Sequence, residues 1–201
     1  KWDYPILTGK GYASEYPPAI GSDGKIYIDN GDGTATLIFA IKPDGTKAWE
    51  FPLGMMAASS AVIDADSTVY IGGWSYVSSQ YRIKLYALNS NGNEKWRFPK
   101  TGDPEKYGYQ LSNPIIGADN NIYFGISTSS YAGGDGRLYA LKPDGTQLWS
   151  NPPSLGAIGH SPAVIAPDGT LYVGTGEGYT NQYRGKLYAV NTKAFGVANT
   201  A

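Results

Sequence analysis

Leu138-Tyr139-Ala140-Leu141-Lys142-Pro143-Asp144-Gly145-Thr146-Gln147-Leu148-Trp149 reads as one β-hairpin. Residues 138–141 alternate large and small apolar side chains, as a strand with one packed face requires. Pro143-Asp144-Gly145 supplies the turn, with φ fixed at the proline and a positive φ open to the glycine. Leu148-Trp149 starts the return strand. The pattern recurs along the chain. Ile38-Phe39-Ala40-Ile41 runs through Pro43-Asp44-Gly45 to Trp49, Leu85-Tyr86-Ala87-Leu88 runs through Asn91-Gly92 to Trp96, and Leu187-Tyr188-Ala189-Val190 opens a further copy. In the three copies that carry a tryptophan, it follows the alanine by nine residues. Ala40, Ala87, Ala140 and Ala189 are 47, 53 and 49 residues apart.

A second hairpin precedes each of these. Pro18-Ala19-Ile20 leads to Ile26-Tyr27, Ser60-Ala61-Val62 to Val69-Tyr70, Asn113-Pro114-Ile115 to Ile122-Tyr123, and Ser161-Pro162-Ala163 to Leu171-Tyr172. The intervening turns are Ser22-Asp23-Gly24, Ala65-Asp66-Ser67, Ala118-Asp119-Asn120 and Pro167-Asp168-Gly169, all rich in residues that tolerate the mirror-image hairpin geometry. Each repeat therefore has four short strands, and four-stranded repeats at this period imply a β-propeller. The expected fold is all-β: a single domain over residues 1–201, with four-stranded antiparallel blades at about residues 17–51, 59–99, 112–151 and 160–199. No stretch keeps a helical apolar period without Gly, Pro or Asn interrupting it.

Lys1-Trp2-Asp3-Tyr4-Pro5 resembles the fourth-strand segment Lys95-Trp96-Arg97-Phe98-Pro99, and Trp2 lies 47 residues before Trp49. Nine residues after Ala189 stands Ala198, and Phe195-Gly196-Val197 is a poor copy of a fourth strand. Residues 1–5 are accordingly expected to complete the last blade and close the ring, which removes two sheet edges. The alternative is half of a seven- or eight-bladed ring that a homodimer would complete.

The pattern aliphatic-Tyr-Ala-Leu, a turn with Gly and then Trp resembles the tryptophan-docking repeat of the pyrroloquinoline-quinone-type propellers. That family includes quinoprotein alcohol dehydrogenases and non-enzymatic relatives such as the outer-membrane assembly lipoprotein. The resemblance implies that Trp49, Trp96 and Trp149 dock on the next blade and that Ala40, Ala87 and Ala140 make room for them. It departs from the family at Lys42, Asn89 and Lys142, where an Asp is usual, and in its shorter turn. The quinone enzymes also use an adjacent-cysteine disulfide, and this chain has no cysteine. The resemblance therefore implies the secreted or cell-surface branch of the family, which shares the propeller and carries no cofactor.

The net charge is −1 and only 16% of residues are charged, so no basic face is available for nucleic acid. No apolar run is long enough to span a bilayer as a helix. The absence of an initiating Met and the Tyr-, Ser- and Gly-rich composition lead to the expectation of an exported, extracytoplasmic protein. His160 is the only histidine, which leaves no His cluster for a metal and no triad partner. Asp29 and Asp32 read as turn residues, with calcium ligation as the alternative.

Long segments gather between the second and third strands of the repeats and between repeats, and propeller topology puts both sets on one face. The first set includes residues 29–34, 73–82, 127–135 and 176–184, and the second carries Tyr107 and Tyr109. The expected ligand-binding residues are Trp74, Tyr76, Tyr81, Tyr131, Tyr179, Tyr183 and Glu177, an aromatic platform for a carbohydrate or protein ligand. No catalytic residue, metal or cofactor is expected. The alternative is an enzyme, either a degenerate quinoprotein dehydrogenase or a hydrolase using the loop carboxylates Glu15, Glu105, Asp135 and Glu177.

Overall fold

Alternation of apolar residues between short turns produces antiparallel hairpins, and the computed structural model contains four sheets built from them. It describes residues 1–5, 16–31, 36–57, 59–128, 135–149, 152–158, 163–177 and 184–193. No helix occurs among the described residues. The first sheet has the order β1 (Ala19–Ile20), β2 (Ile26–Gly31), β3 (Thr36–Ile41) and β4 (Lys47–Pro52). The second combines β5 (Met56–Ala57), β6 (Val62–Ile63), β7 (Val69–Val77), β8 (Gln80–Leu88), β9 (Glu94–Phe98) and β10 (Lys106–Tyr107). The third holds β11 (Gln110–Leu111), β12 (Ile115–Ile116), β13 (Ile122–Ser127) and β14 (Gly136–Leu141), and the fourth β15 (Val164–Ile165), β16 (Thr170–Glu177) and β17 (Arg184–Asn191).

The pairing register repeats from sheet to sheet. Tyr27 lies opposite Ala40, Tyr70 opposite Ala87, Tyr123 opposite Ala140 and Tyr172 opposite Ala189. Ala40 also faces Trp49, and Ala87 faces Trp96. Because side chains alternate across a strand, this register fixes which face each residue presents. Tyr27, Ile38 and Ala40 pack onto Val69, Ile71, Tyr86 and Leu88 of the second sheet. Tyr70, Leu85 and Ala87 pack onto Ile122, Phe124, Tyr139 and Leu141 of the third, and Tyr123, Leu138, Ala140 and Trp149 onto Leu171, Val173 and Val190 of the fourth. Consecutive sheets thus lie face to face, and each interior sheet has one apolar face for its predecessor and one for its successor.

The tryptophans lock these junctions. The indole Nε1 of Trp49 donates to Ser90 O at 2.9 Å, that of Trp96 to Pro143 O at 2.8 Å and that of Trp149 to Thr192 O at 3.1 Å. Each acceptor stands three residues after the alanine of the next sheet. Gly92 and Gly145 carry positive φ values of 85° and 79°, and a Cβ on either would come within 2.7 and 2.5 Å of the docked indole. The glycine therefore serves both the turn and the close approach. Trp149 is fully buried, whereas Trp49 and Trp96 keep an exposed edge and are only half-buried.

The turns and the chain start both differ from the simplest reading of the sequence. The turns of the first hairpins are not mirror-image turns: Gly24, Ser67, Asn120 and Gly169 each carry the one positive φ of their turn. A single left-handed residue after two right-handed ones is the three-residue form, and glycine, serine and asparagine all fill it. Nor is the fourth sheet completed by residues 1–5, which form no strand. Trp2 is instead seated on the first sheet, where its Nε1 donates to Pro43 O at 2.8 Å and its ring covers Gly45. Among the described residues β17 pairs with β16 alone. Residues 194–201, where a poor fourth strand was expected, lie outside the described residues. In the third sheet the return segment contributes, among the described residues, the isolated bridges of Gln147 with Leu141 and Ser154 with Arg137.

Candidate functional site: an exposed aromatic hairpin

The second sheet departs from the others in the length of its central hairpin. Its two strands, β7 and β8, have nine residues each, against six in β2, β3, β13 and β14 and eight in β16 and β17. Residues 73–82, read from the sequence as a loop, are mostly strand. Ladder pairing continues through Ser75 opposite Arg82 and Tyr76 opposite Tyr81 to Val77 opposite Gln80. Ser78 and Ser79 close the hairpin with φ values of 51° and 63°, the mirror-image two-residue turn whose twist matches the strands. Two short strands brace it, with Met56 of β5 opposite Trp74 and Lys106 of β10 opposite Ile83. Lys106 is itself held over the rings of Phe98 and Tyr139, at 5.8 and 5.9 Å.

Strand alternation puts Trp74 and Tyr76 on one face of β7, and cross-strand pairing adds Tyr81. The rings touch in sequence. The Trp74 and Tyr81 centroids are 5.3 Å apart, those of Tyr76 and Tyr81 4.7 Å, and those of Tyr81 and Tyr109 4.7 Å. Tyr109 is delivered by the segment between the second and third sheets, where its N–H bonds Ser127 O at 2.7 Å and Gly108 N–H bonds Tyr81 O at 3.1 Å. The inner rings, Trp74 and Tyr81, are half-buried. Tyr76 is 59% exposed and Tyr109 38%, so the cluster opens to solvent at both ends. Tyr107, beside it in sequence, is 49% exposed. On the opposite face of the hairpin Arg82 approaches Glu105 at 3.7 Å, and Arg82 Nε and Glu105 Oε2 are buried without hydrogen-bond partners.

The structure thus brings together Trp74, Tyr76 and Tyr81 of the expected platform. Tyr131, Tyr179 and Tyr183 lie outside the described residues. Glu177 closes β16 with its backbone opposite Arg184. Tyr109 was missed as a site residue, because no hairpin register links it to Tyr81: the contact arises only once β10 lies against β8. Of the loop carboxylates, Glu105 faces Arg82, and Asp135 pairs with Arg137 at 3.2 Å and with Ser154. Glu15, Asp32 and His160 lie outside the described residues. Asp29 sits within β2 opposite Ile38 and is 8% exposed, so it is a strand residue, where a turn was expected.

No family model matches the chain, and no curated protein matches it. No helix among the described residues is long and apolar enough to cross a membrane.

Proposed function

We propose that the chain is a β-propeller of the quinoprotein-like repeat type that acts as a non-catalytic, extracytoplasmic binding module for a glycan or a peptide. The repeated register and the indole docking from sheet to sheet support the propeller, since both are properties of one blade copied around an axis. The binding reading rests on the four-ring cluster of Trp74, Tyr76, Tyr81 and Tyr109. Large rings with two rigid torsions lose little entropy on contact and offer apolar faces beside polar hydroxyls. Tyr76 and Tyr109 are held out by strand and bridge pairing with a large part of each ring in water, and solvent exposure of that kind carries no benefit to folding.

A glycan array and a peptide array probed with the chain, beside a Tyr76→Ala variant, test the proposal. The expected result is a set of ligands of one class bound by the parent and lost by the variant. Binding that is absent from both arrays, or equal for the two proteins, would refute it.

A further inference from the structure

Directly opposed residues of an antiparallel ladder leave the sheet on the same face with their Cβ atoms about 5 Å apart, so their side chains run alongside one another. Tyr76 of β7 and Tyr81 of β8 are such partners, placed just before and just after the Ser78-Ser79 turn. Their ring centroids are 4.7 Å apart and their planes meet at 50°. Tyr27, Tyr70 and Tyr123, by contrast, face tryptophans, and Tyr86 and Tyr139 face phenylalanines. Those five tyrosines are also buried, whereas Tyr76 stands mostly in water and Tyr81 is half-buried beside it. An oxidant in solution therefore reaches one phenol of a touching pair.

We infer that Tyr76 and Tyr81 are a site of oxidative cross-linking, at which a covalent bond joins the two rings. The oxidant is hydrogen peroxide acting through a haem peroxidase, which removes one electron at a time. Tyr76 gives up an electron, and its hydroxyl proton passes to water. Across the ring contact Tyr81 returns an electron and a proton to Tyr76 and becomes the radical itself. A second oxidation at Tyr76 leaves two neighbouring phenoxyl radicals, whose unpaired electrons form a carbon–carbon bond between the ring carbons beside each hydroxyl. Each of those carbons releases its hydrogen as a proton and each oxygen takes a proton up, which restores two phenols. Two tyrosines and one peroxide thus become one dityrosine and two waters.

Geometry also chooses between the tyrosine neighbours of Tyr81. In such a product the rings are twisted, because conjugation resists the perpendicular arrangement and the crowded hydroxyls resist the flat one. Tyr76 and Tyr81 already have that twist at 50°, while Tyr81 and Tyr109 meet at 82°. The bond ties β7 to β8 across their turn, where a disulfide would act in a chain that had cysteine. Its formation is independent of whether the aromatic cluster binds a glycan or a peptide.

Treatment of the dilute full chain with horseradish peroxidase and hydrogen peroxide tests the inference, with N-acetyltyrosine coupled in parallel to show that the oxidant works. The parent is expected to gain dityrosine fluorescence while keeping the mass of one chain. Its tryptic peptide of residues 48–82, which carries both tyrosines, should lose two hydrogens and give no backbone fragments between Tyr76 and Tyr81. Because contact within one chain replaces a bimolecular encounter, the yield is expected to fall by about 10-fold or more in Tyr76→Phe and in Tyr81→Phe. Tyr107→Phe should couple as the parent does. Tyr76→Phe changes a mostly exposed ring by one hydroxyl, so its folding is not at issue. The inference is overturned if the parent gives no dityrosine where N-acetyltyrosine couples, if the product joins two chains, or if Tyr76→Phe keeps the parent yield. A product lost in Tyr109→Phe but kept in Tyr76→Phe would move the bond to the other neighbour and overturn it equally.

Discussion

At the scale of single residues, tryptophan and tyrosine divide the work of joining one sheet to the next. Trp49, Trp96 and Trp149 each give the indole N–H to a turn carbonyl across the junction and the ring to a tyrosine in the same sheet. The tyrosines are tied in turn to a carboxylate: Tyr27 donates to Asp23 at 3.3 Å, Tyr70 to Asp64 at 3.0 Å and Tyr123 to Asp119 at 2.8 Å. Truncating the fully buried Trp149 to alanine is expected to cost roughly 3–5 kcal/mol, and the half-buried Trp96 about 2 kcal/mol. Chemical denaturation of the two variants checks the order.

The tyrosine–carboxylate pairs also set the response to pH. Burial raises the phenol of Tyr27 to about 12, with the Asp23 charge adding to it, and burial with the Asp119 hydrogen bond raises Tyr123 to about 12. A raised phenol stabilises the fold below the ordinary value of 10 and withdraws that stability as pH climbs from there towards 12. Burial opposes ionisation of Asp119, but hydrogen bonds from Tyr123 and Asn121 outweigh it and leave its carboxyl below the ordinary 3.8. Its contribution is present above that value and disappears as pH falls through the lowered one. Thermal melts are therefore expected to show a plateau between these limits with losses at both ends. A Tyr123→Phe variant should lose less on the alkaline side.

At the scale of elements, the central hairpin of the second sheet is the informative one. The docking hairpin and its period were legible in the sequence because turn chemistry and two-residue alternation act locally, and the glycine φ of 79° at Gly145 agrees with that reading. The extension of β7 and β8 was not legible. Gly72-Gly73 and Ser78-Ser79 look like loop residues, yet the β7–β8 ladder runs on to Val77 opposite Gln80, with β5 and β10 pairing at its base. Two serines in left-handed backbone conformation carry a cost that Asn-Gly would relieve. Replacing Ser78-Ser79 by Asn-Gly is expected to raise stability by roughly 1 kcal/mol, measured by denaturant midpoint, with the aromatic cluster intact.

At the scale of the whole molecule, four equivalent sheets follow one another with the same face always forward. The sequence led to residues 1–5 as a strand for the last sheet, since Lys1-Trp2-Asp3-Tyr4-Pro5 matches a fourth strand. The match itself is sound, because Trp2 does dock as a fourth-strand tryptophan. What local pattern cannot supply is which end of the stack receives the segment. That depends on whether the first and last sheets of one chain can meet, and the exposed Leu187 and Ile20 report that they do not. The aromatic platform was legible in the same partial way. Trp74, Tyr76 and Tyr81 could be named from residue type, whereas Tyr109 required the packing of one repeat on the next.

The claim that this cluster is a binding surface is tested most directly by calorimetric titration of the strongest array ligand into the parent and into Tyr76→Ala. Removal of one stacking ring is expected to weaken affinity by about 10-fold, equivalent to about 1.4 kcal/mol, while the thermal midpoint stays unchanged because Tyr76 is mostly exposed. Equal affinity in the two proteins would contradict the account.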